Sequence, residues 1–222
     1  MPRKNQVTYE PEYEGKPIMT DKDKKLGCYK PILKRMQELF EDMIKRHNKV
    51  NVVCRELRSP EEMPLICDNK AIRAFHADEA KSLKRAGIDS GYISVREQKP
   101  GRKSHYHDFL LLDGSKIQNI EGHLKTAEEI WERKLGLPKV REEERDIPPE
   151  CRKQGWGLIH NCTWDNNDDS QKYSLMLRRD DPEYATKIKQ CFYRASYLAK
   201  ENQKGNTPKG QRQLFVSRIK KK

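Results

Sequence analysis

Gly91-Tyr-Ile-Ser-Val-Arg-Glu-Gln98, Lys99-Pro-Gly-Arg-Lys103 and Ser104-His-Tyr-His-Asp-Phe-Leu-Leu-Leu112 follow one another without a break. Pro-Gly between two apolar runs is a strong turn signal, so the runs are expected to pair as an antiparallel hairpin. Side chains alternate along a strand, so His105 and His107 share a face, about 7 Å apart in backbone rise. Two imidazoles placed so can grip one cation between them. Tyr106 points to the opposite face, toward packing, and Phe109-Leu-Leu-Leu112 anchors the strand in a core. A His-x-His pair often arises by chance. Its place in a well-marked hairpin of a basic protein gives it weight here.

Glu97 is the candidate third ligand, and register decides where it falls. An odd-length loop, either Pro100–Arg102 or Lys99–Lys103, sets Glu97 opposite His105. An even-length loop sets Arg96 there and turns Glu97 away. The plain alternative for Glu97 is a surface carboxylate paired with a nearby Lys or Arg. Mixed nitrogen and oxygen ligands suit Mg²⁺, Mn²⁺ or Zn²⁺.

Working outward, residues 1–30 are polar, with Pro11, Gly15, Pro17 and the charged run Asp21–Lys25, and read as an irregular arm. Pro31 opens a helix to about Asn48, with Leu33, Met36, Phe40, Met43 and Ile44 on one face. Lys49–Leu57 reads as a strand in which Val50, Val52 and Cys54 alternate. Asn69 to Ala86 and Asn119 to Leu135 read as helices stopped by Gly87 and Gly136. Residues 138–150, with three prolines, read as an exposed loop. Gly155–Cys162 and Lys172–Leu177 look like a second strand pair joined by the turn Asp165–Ser170. Asp181 is expected to cap a helix with Pro182 at its first position, running to about Lys200. Gln203–Lys222 carries seven Lys or Arg and no acid, with Leu214, Val216 and Ile219 able to form a short strand. This order predicts an α+β fold, an antiparallel sheet of about five strands flanked by helices. The expected division is an arm (1–30), a catalytic-type domain (31–202) and a basic C-terminal segment (203–222).

The 222 residues carry a net charge of +12, with 34% hydrophobic residues, enough for one core. The charge favours a polyanionic partner, nucleic acid before an anionic membrane. No window approaches 18 apolar residues, which excludes a transmembrane helix. The first residues lack the apolar region of a signal peptide, and a cytoplasmic location is expected. Of the six cysteines (Cys28, Cys54, Cys67, Cys151, Cys162, Cys191) none forms a C-x-x-C pair, so a zinc ribbon is excluded and reduced thiols are expected. Basic clusters at Lys22–Lys25, Lys81–Arg85, Arg102–Lys103 and Lys220–Lys222 suit phosphate contacts, though solvated surface accounts for about half of such runs. Trp156 and Trp164 read either as base-stacking platforms or as buried structural residues.

A second group lies in Cys191-Phe-Tyr-Arg-Ala-Ser-Tyr-Leu-Ala-Lys200. On a helix Tyr193 and Tyr197 share a face, and Lys200 follows Tyr197 by three. A phenol, with a pKa of about 10, is a weak nucleophile near neutral pH. A metal that polarises a phosphate and a neighbouring ammonium both help it to attack. Aromatics at helical spacing are usually core, which is the plain alternative for Tyr193 with Phe192.

His-aromatic-His on a strand followed by a helical tyrosine resembles the HUH endonuclease superfamily. Val95-Arg-Glu-Gln98, Gly101 to Leu112, Phe192 to Lys200 and Arg212-Gln-Leu-Phe-Val-Ser-Arg218 are similar to the inovirus-type replication initiation proteins of filamentous phages and prophages. Val50–Arg58 is similar to that family's first core strand, and the likeness spans about residues 32–220. Tyr106 is bulkier than the family's usual aliphatic residue, and Phe215-Val216-Ser217 stands where Phe-Gly is usual.

The resemblance implies an HUH endonuclease-like fold with a ferredoxin/RRM-like core. It implies a rolling-circle initiator that nicks single-stranded DNA, or a DNA hairpin, at a replication origin. His105, His107 and Glu97 would hold Mg²⁺ or Mn²⁺. Tyr197, favoured because Lys200 follows it, would attack phosphorus and keep a 5′-phosphotyrosine link. Tyr193 would be a second nucleophile or only pack. Arg102, Lys103 and Arg194 would contact DNA, with host replication proteins as further partners in a bacterial cytoplasm. Rival readings are a non-catalytic nucleic-acid-binding regulator, a transposase-like nuclease, and a zinc hydrolase using His105, His107 and His160 or Cys162.

Overall fold

The computed structural model of the chain describes residues 6–60, 63, 68–98, 103–117, 119–137, 158–164, 173–201, 207 and 210–219. In chain order the elements are β1 (Val7–Thr8), β2 (Glu12–Tyr13), β3 (Lys16–Pro17), β4 (Cys28–Tyr29), α1 (Lys30–Arg46), β5 (Lys49–Leu57), α2 (Lys70–Arg85), β6 (Ser90–Glu97), β7 (His105–Asp113), α3 (Glu121–Lys134), β8 (Ile159–Asn161), β9 (Leu175–Arg178), α4 (Tyr184–Ala195), a 3-10 turn (Ser196–Ala199) and β10 (Leu214–Val216). The main sheet is antiparallel and six-stranded, in the order β10-β6-β7-β5, with β8 and β9 both on the far edge of β5. This agrees with the α+β class and adds one strand to the expected count.

Alternation along the strands makes two faces, each covered by helices. On one, Val50, Val52, Ile93, Val95, Phe109 and Leu111 pack under α1, whose buried Ile32, Leu33, Met36, Leu39, Phe40 and Met43 recur every three or four residues. Burying each such side chain contributes about 1.5–3 kcal/mol, more than intrinsic helix propensity supplies, so this stripe fixes α1 in place. Phe192 and Ala195 of α4 and Leu198 of the 3-10 turn join the same layer. On the other face Leu57, Tyr106, Val53, Leu110 and Leu112 pack under α2 and α3.

That second face also carries charge. Arg55, fully buried, donates to both carboxylate oxygens of Glu79 at 2.6 Å and to Asp108 at 2.7 Å. This fork clamps α2 to the two central strands, and deleting one partner of such a buried set costs about 3–5 kcal/mol.

Three expectations change. The N-terminal segment, read as an irregular arm, pairs β1 with β4 and β2 with β3, and buries Ile18 and Cys28. Glu14 and Gly15, at φ +47° and +73°, make the tight left-handed turn between β2 and β3, which glycine permits. Next, β8 and β9 do not pair with each other. Both pair with β5, β9 along Lys49–Val52 and β8 along Arg55–Leu57, as one edge interrupted by residues 162–174. The expected hairpin between them therefore does not form. Finally, α4 starts at Tyr184. Asp181 accepts the Glu183 N–H at 2.8 Å in a turn before the helix rather than capping it, and the α-helix ends at Ala195. The loop 138–150, the turn 165–170, Trp156, Cys67 and Cys151 lie outside the described residues. Within the basic C-terminal segment, β10 completes the edge beside β6.

His76, on the buried face of α2, stacks on Tyr92 at 3.8 Å between ring centres. Burial drives its pKa from the ordinary 6.5 down to about 3, with the Arg55 charge adding to the fall and Glu79 opposing it. The folded chain therefore holds His76 neutral while the unfolded chain takes up a proton below 6.5. Stability from this group is full above 6.5 and declines by up to about 1.4 kcal/mol per pH unit as pH falls toward 3. Urea unfolding across this range should show a shallower acid decline in His76→Phe than in the wild type; an identical decline would count against the assignment.

Candidate metal centre and tyrosine

The register at the open end of the α1-covered face assembles the site. Glu97 of β6 pairs with His105 of β7, as an odd-length loop requires. Across the other edge of β7, Glu56 of β5 pairs with His107. Paired residues in an antiparallel sheet point to one face, so two carboxylates flank two imidazoles.

The distances bear this out. His107 Nε2 lies 3.3 Å from Glu97 Oε2, and His105 Nε2 lies 3.7 Å from both Glu97 Oε2 and Glu56 Oε1. Glu56, His105 and His107 offer ligand atoms all within 4.8 Å of one another, the only such group among the described residues. Ligands bonded to one small cation at about 2.1 Å stand roughly 3–3.4 Å apart, close to these spacings. His107 Nε2 is buried and makes no hydrogen bond in the structure. An imidazole nitrogen left so, facing carboxylates, fits a metal ligand.

The sequence pointed to Glu97 as the third ligand. The structure sets Glu97, nearly fully buried, against both imidazoles and adds Glu56 as a second carboxylate within ligand reach of them. Both neighbours of β7 can supply a carboxylate: β6 presents Glu97 and β5 presents Glu56. Glu56 had a signal: it continues the inward alternation Val50, Val52, Cys54 with a charge. Burial raises its carboxyl, but the hydrogen bond and charge of Arg58 and the two imidazoles outweigh this, and its pKa falls below the usual range.

Tyr197 comes over the cluster from the 3-10 turn. Its ring centre lies 4.8 Å from that of His107, edge to face, and Lys200 Nζ lies 4.9 Å from the Tyr197 ring. Burial, then the Glu97 and Glu56 charges, hold its phenol above the ordinary value of 10. Tyr193, expected on the same helix face, is 44% exposed and makes no contact with the cluster among the described residues. The chain tightens after Ala195, and 3-10 winding separates residues that an α-helix would stack.

The N-terminal segment fixes that turn. The Met19 N–H donates to Ser196 Oγ at 2.8 Å, and Ser196 Oγ donates to the Tyr193 carbonyl. The Glu201 N–H donates to the Gly27 carbonyl at 2.9 Å, and Cys28 bridges Lys200. Gly27 is required here, since a Cβ would meet Val7 Cγ1 at 2.3 Å.

Other expected site residues are dispersed. Arg102 lies outside the described residues, and Lys103 Nζ donates to the Pro60 carbonyl. Arg194 stacks over Trp164 at 4.6 Å, and Trp164 meets Phe109 edge-on at 6.2 Å, so one indole face is already covered. Lys22, Lys24 and Lys81 form surface ion pairs with Glu10, Asp21 and Asp78. His160 is exposed on β8 opposite Glu56, outside the cluster's ligand set. No helix is long and apolar enough to cross a membrane among the described residues.

No family model, no curated protein and no solved structure matches the chain.

With Mn²⁺ as the probe, electron paramagnetic titration should show one bound ion per chain. His107→Ala and Glu56→Gln should each weaken it by at least about tenfold. Equal affinity in wild type and both variants would place the ion elsewhere.

Proposed function

We propose that the chain is a metal-dependent single-stranded DNA endonuclease and strand transferase of the rolling-circle initiator kind. The observation that carries this reading is the Tyr197 phenol set against His107 of a two-histidine, two-carboxylate cluster. A nucleophile beside a candidate metal centre is the arrangement that phosphoryl transfer to a side chain needs. The net charge of +12 supports a polyanionic substrate.

His105, His107 and Glu56, with Glu97 behind them, would hold the ion, with Mg²⁺ or Mn²⁺ suited to this mixed donor set. A divalent cation there supplies charge that polarises the scissile phosphate and offsets the two carboxylates that keep the phenol protonated. Tyr197 Oη would then bond to phosphorus as its proton passes to solvent water. The bond to the 3′-oxygen breaks, that oxygen takes a proton, and a 5′-phosphotyrosine and a 3′-hydroxyl result. Lys200 Nζ, 4.9 Å from the centre of the Tyr197 ring, would add positive charge on the phenol's side of the site. The imidazoles and the Ser196 clamp keep the phenol from wandering, so little ordering remains at the moment of attack.

With Mn²⁺ or Mg²⁺ and a pool of single-stranded, hairpin-forming DNA, a covalent adduct resistant to a denaturing gel is expected. Mass mapping should place it on Tyr197. Tyr197→Phe should abolish it, and Tyr193→Phe should leave at least half. Salt-sensitive DNA binding without adduct under either metal would favour the non-catalytic regulator instead.

A further inference from the structure

We propose that Cys54 and Cys162 form a reversible disulfide, a thiol-oxidation site on the flank of the metal cluster. The proposal stands apart from the nuclease reading, since it concerns only the edge of the sheet. β8 runs antiparallel to β5 with Glu56 opposite His160 and Arg55 opposite Asn161. The next step of that register sets Cys54 opposite Cys162, and the Cys162 N–H donates to the Cys54 carbonyl at 2.8 Å. Residues opposed in this way hold their Cβ atoms about 4.5–5.5 Å apart and on one face. A disulfide spans about 3.5–4.5 Å between Cβ atoms, and a hydrogen-bonded pair sits at the wide end of the cross-strand range, so closure asks for a movement of roughly 1–2 Å.

Access separates this pair from the other described cysteines. Cys28 and Cys191 are buried in the core, whereas Cys54 and Cys162 are only half-buried. β8 is three residues long and lies at the sheet edge, so it can shift where a central strand cannot. Edge disulfides of this kind are the labile ones, suited to a compartment where thiols are normally reduced.

The oxidant is a peroxide. One sulfur attacks a peroxide oxygen, the O–O bond breaks, and water leaves to give a sulfenic acid. The second sulfur displaces that hydroxyl as water and forms the S–S bond. Two thiols and one hydrogen peroxide thus give one disulfide and two waters, with two electrons passed to the peroxide. Cys54 lies two residues from Glu56 on the same face of β5, which places the pair beside the cluster.

The full-length reduced chain is treated with equimolar hydrogen peroxide, alkylated and mapped by mass spectrometry. A Cys54–Cys162 cross-linked peptide, lighter by two hydrogens and released by dithiothreitol, is the expected result. Cys54→Ser and Cys162→Ser, each checked for native circular dichroism, should both lack it. Two freely alkylated thiols after peroxide, oxidation to sulfinic acid without a cross-link, or linkage of Cys162 to another cysteine would each overturn the proposal.

Discussion

The register between β7 and its two neighbours governs everything at the site. One residue of slip on either side would turn a carboxylate to the opposite face, because strand side chains alternate. The pairings Glu97 with His105 and Glu56 with His107 are held from far below by the apolar rows that share their faces. Val52, Val95, Phe109 and Leu111 cannot leave the α1 layer without exposing a core, and the buried Arg55 fork locks the reverse face at the same level. The histidines are thus positioned by hydrophobic burial that lies mostly outside the site.

The tyrosine is positioned by different means. It stands on a short 3-10 turn, which has little stability of its own. The N-terminal segment supplies the missing bonds through Met19, Gly27 and Cys28, and the buried Leu198 and Ala199 seat the turn on α1. A segment that looks dispensable by composition therefore completes the wall that presents the phenol.

Long periodic runs carried their own reading. The alternation of β5, the hairpin of β6 and β7, and the stripes of α1 and α2 follow from where apolar residues recur, and the structure places them within one or two residues of expectation. The order of the edge was not legible, since pairing two strands in sequence is the default and nothing in 155–177 marks that both serve β5. The arm was misjudged because few apolar residues, chiefly Ile18, Cys28 and Tyr29, do its packing. Glu56 is not legible from the hairpin alone, because it comes from β5, which is distant in sequence and pairs with the other edge of β7. The parting of Tyr193 from Tyr197 depends on a change of helical winding that no residue at 193–199 announces.

The most direct measurement is anomalous diffraction from crystals of the chain soaked in Mn²⁺. A single peak bounded by His105 Nε2, His107 Nε2 and the Glu56 carboxylate, with the Tyr197 hydroxyl on the same side of the sheet, is the result predicted. A peak at any other group of residues, or a Tyr197 ring turned away from an occupied cluster, would contradict it.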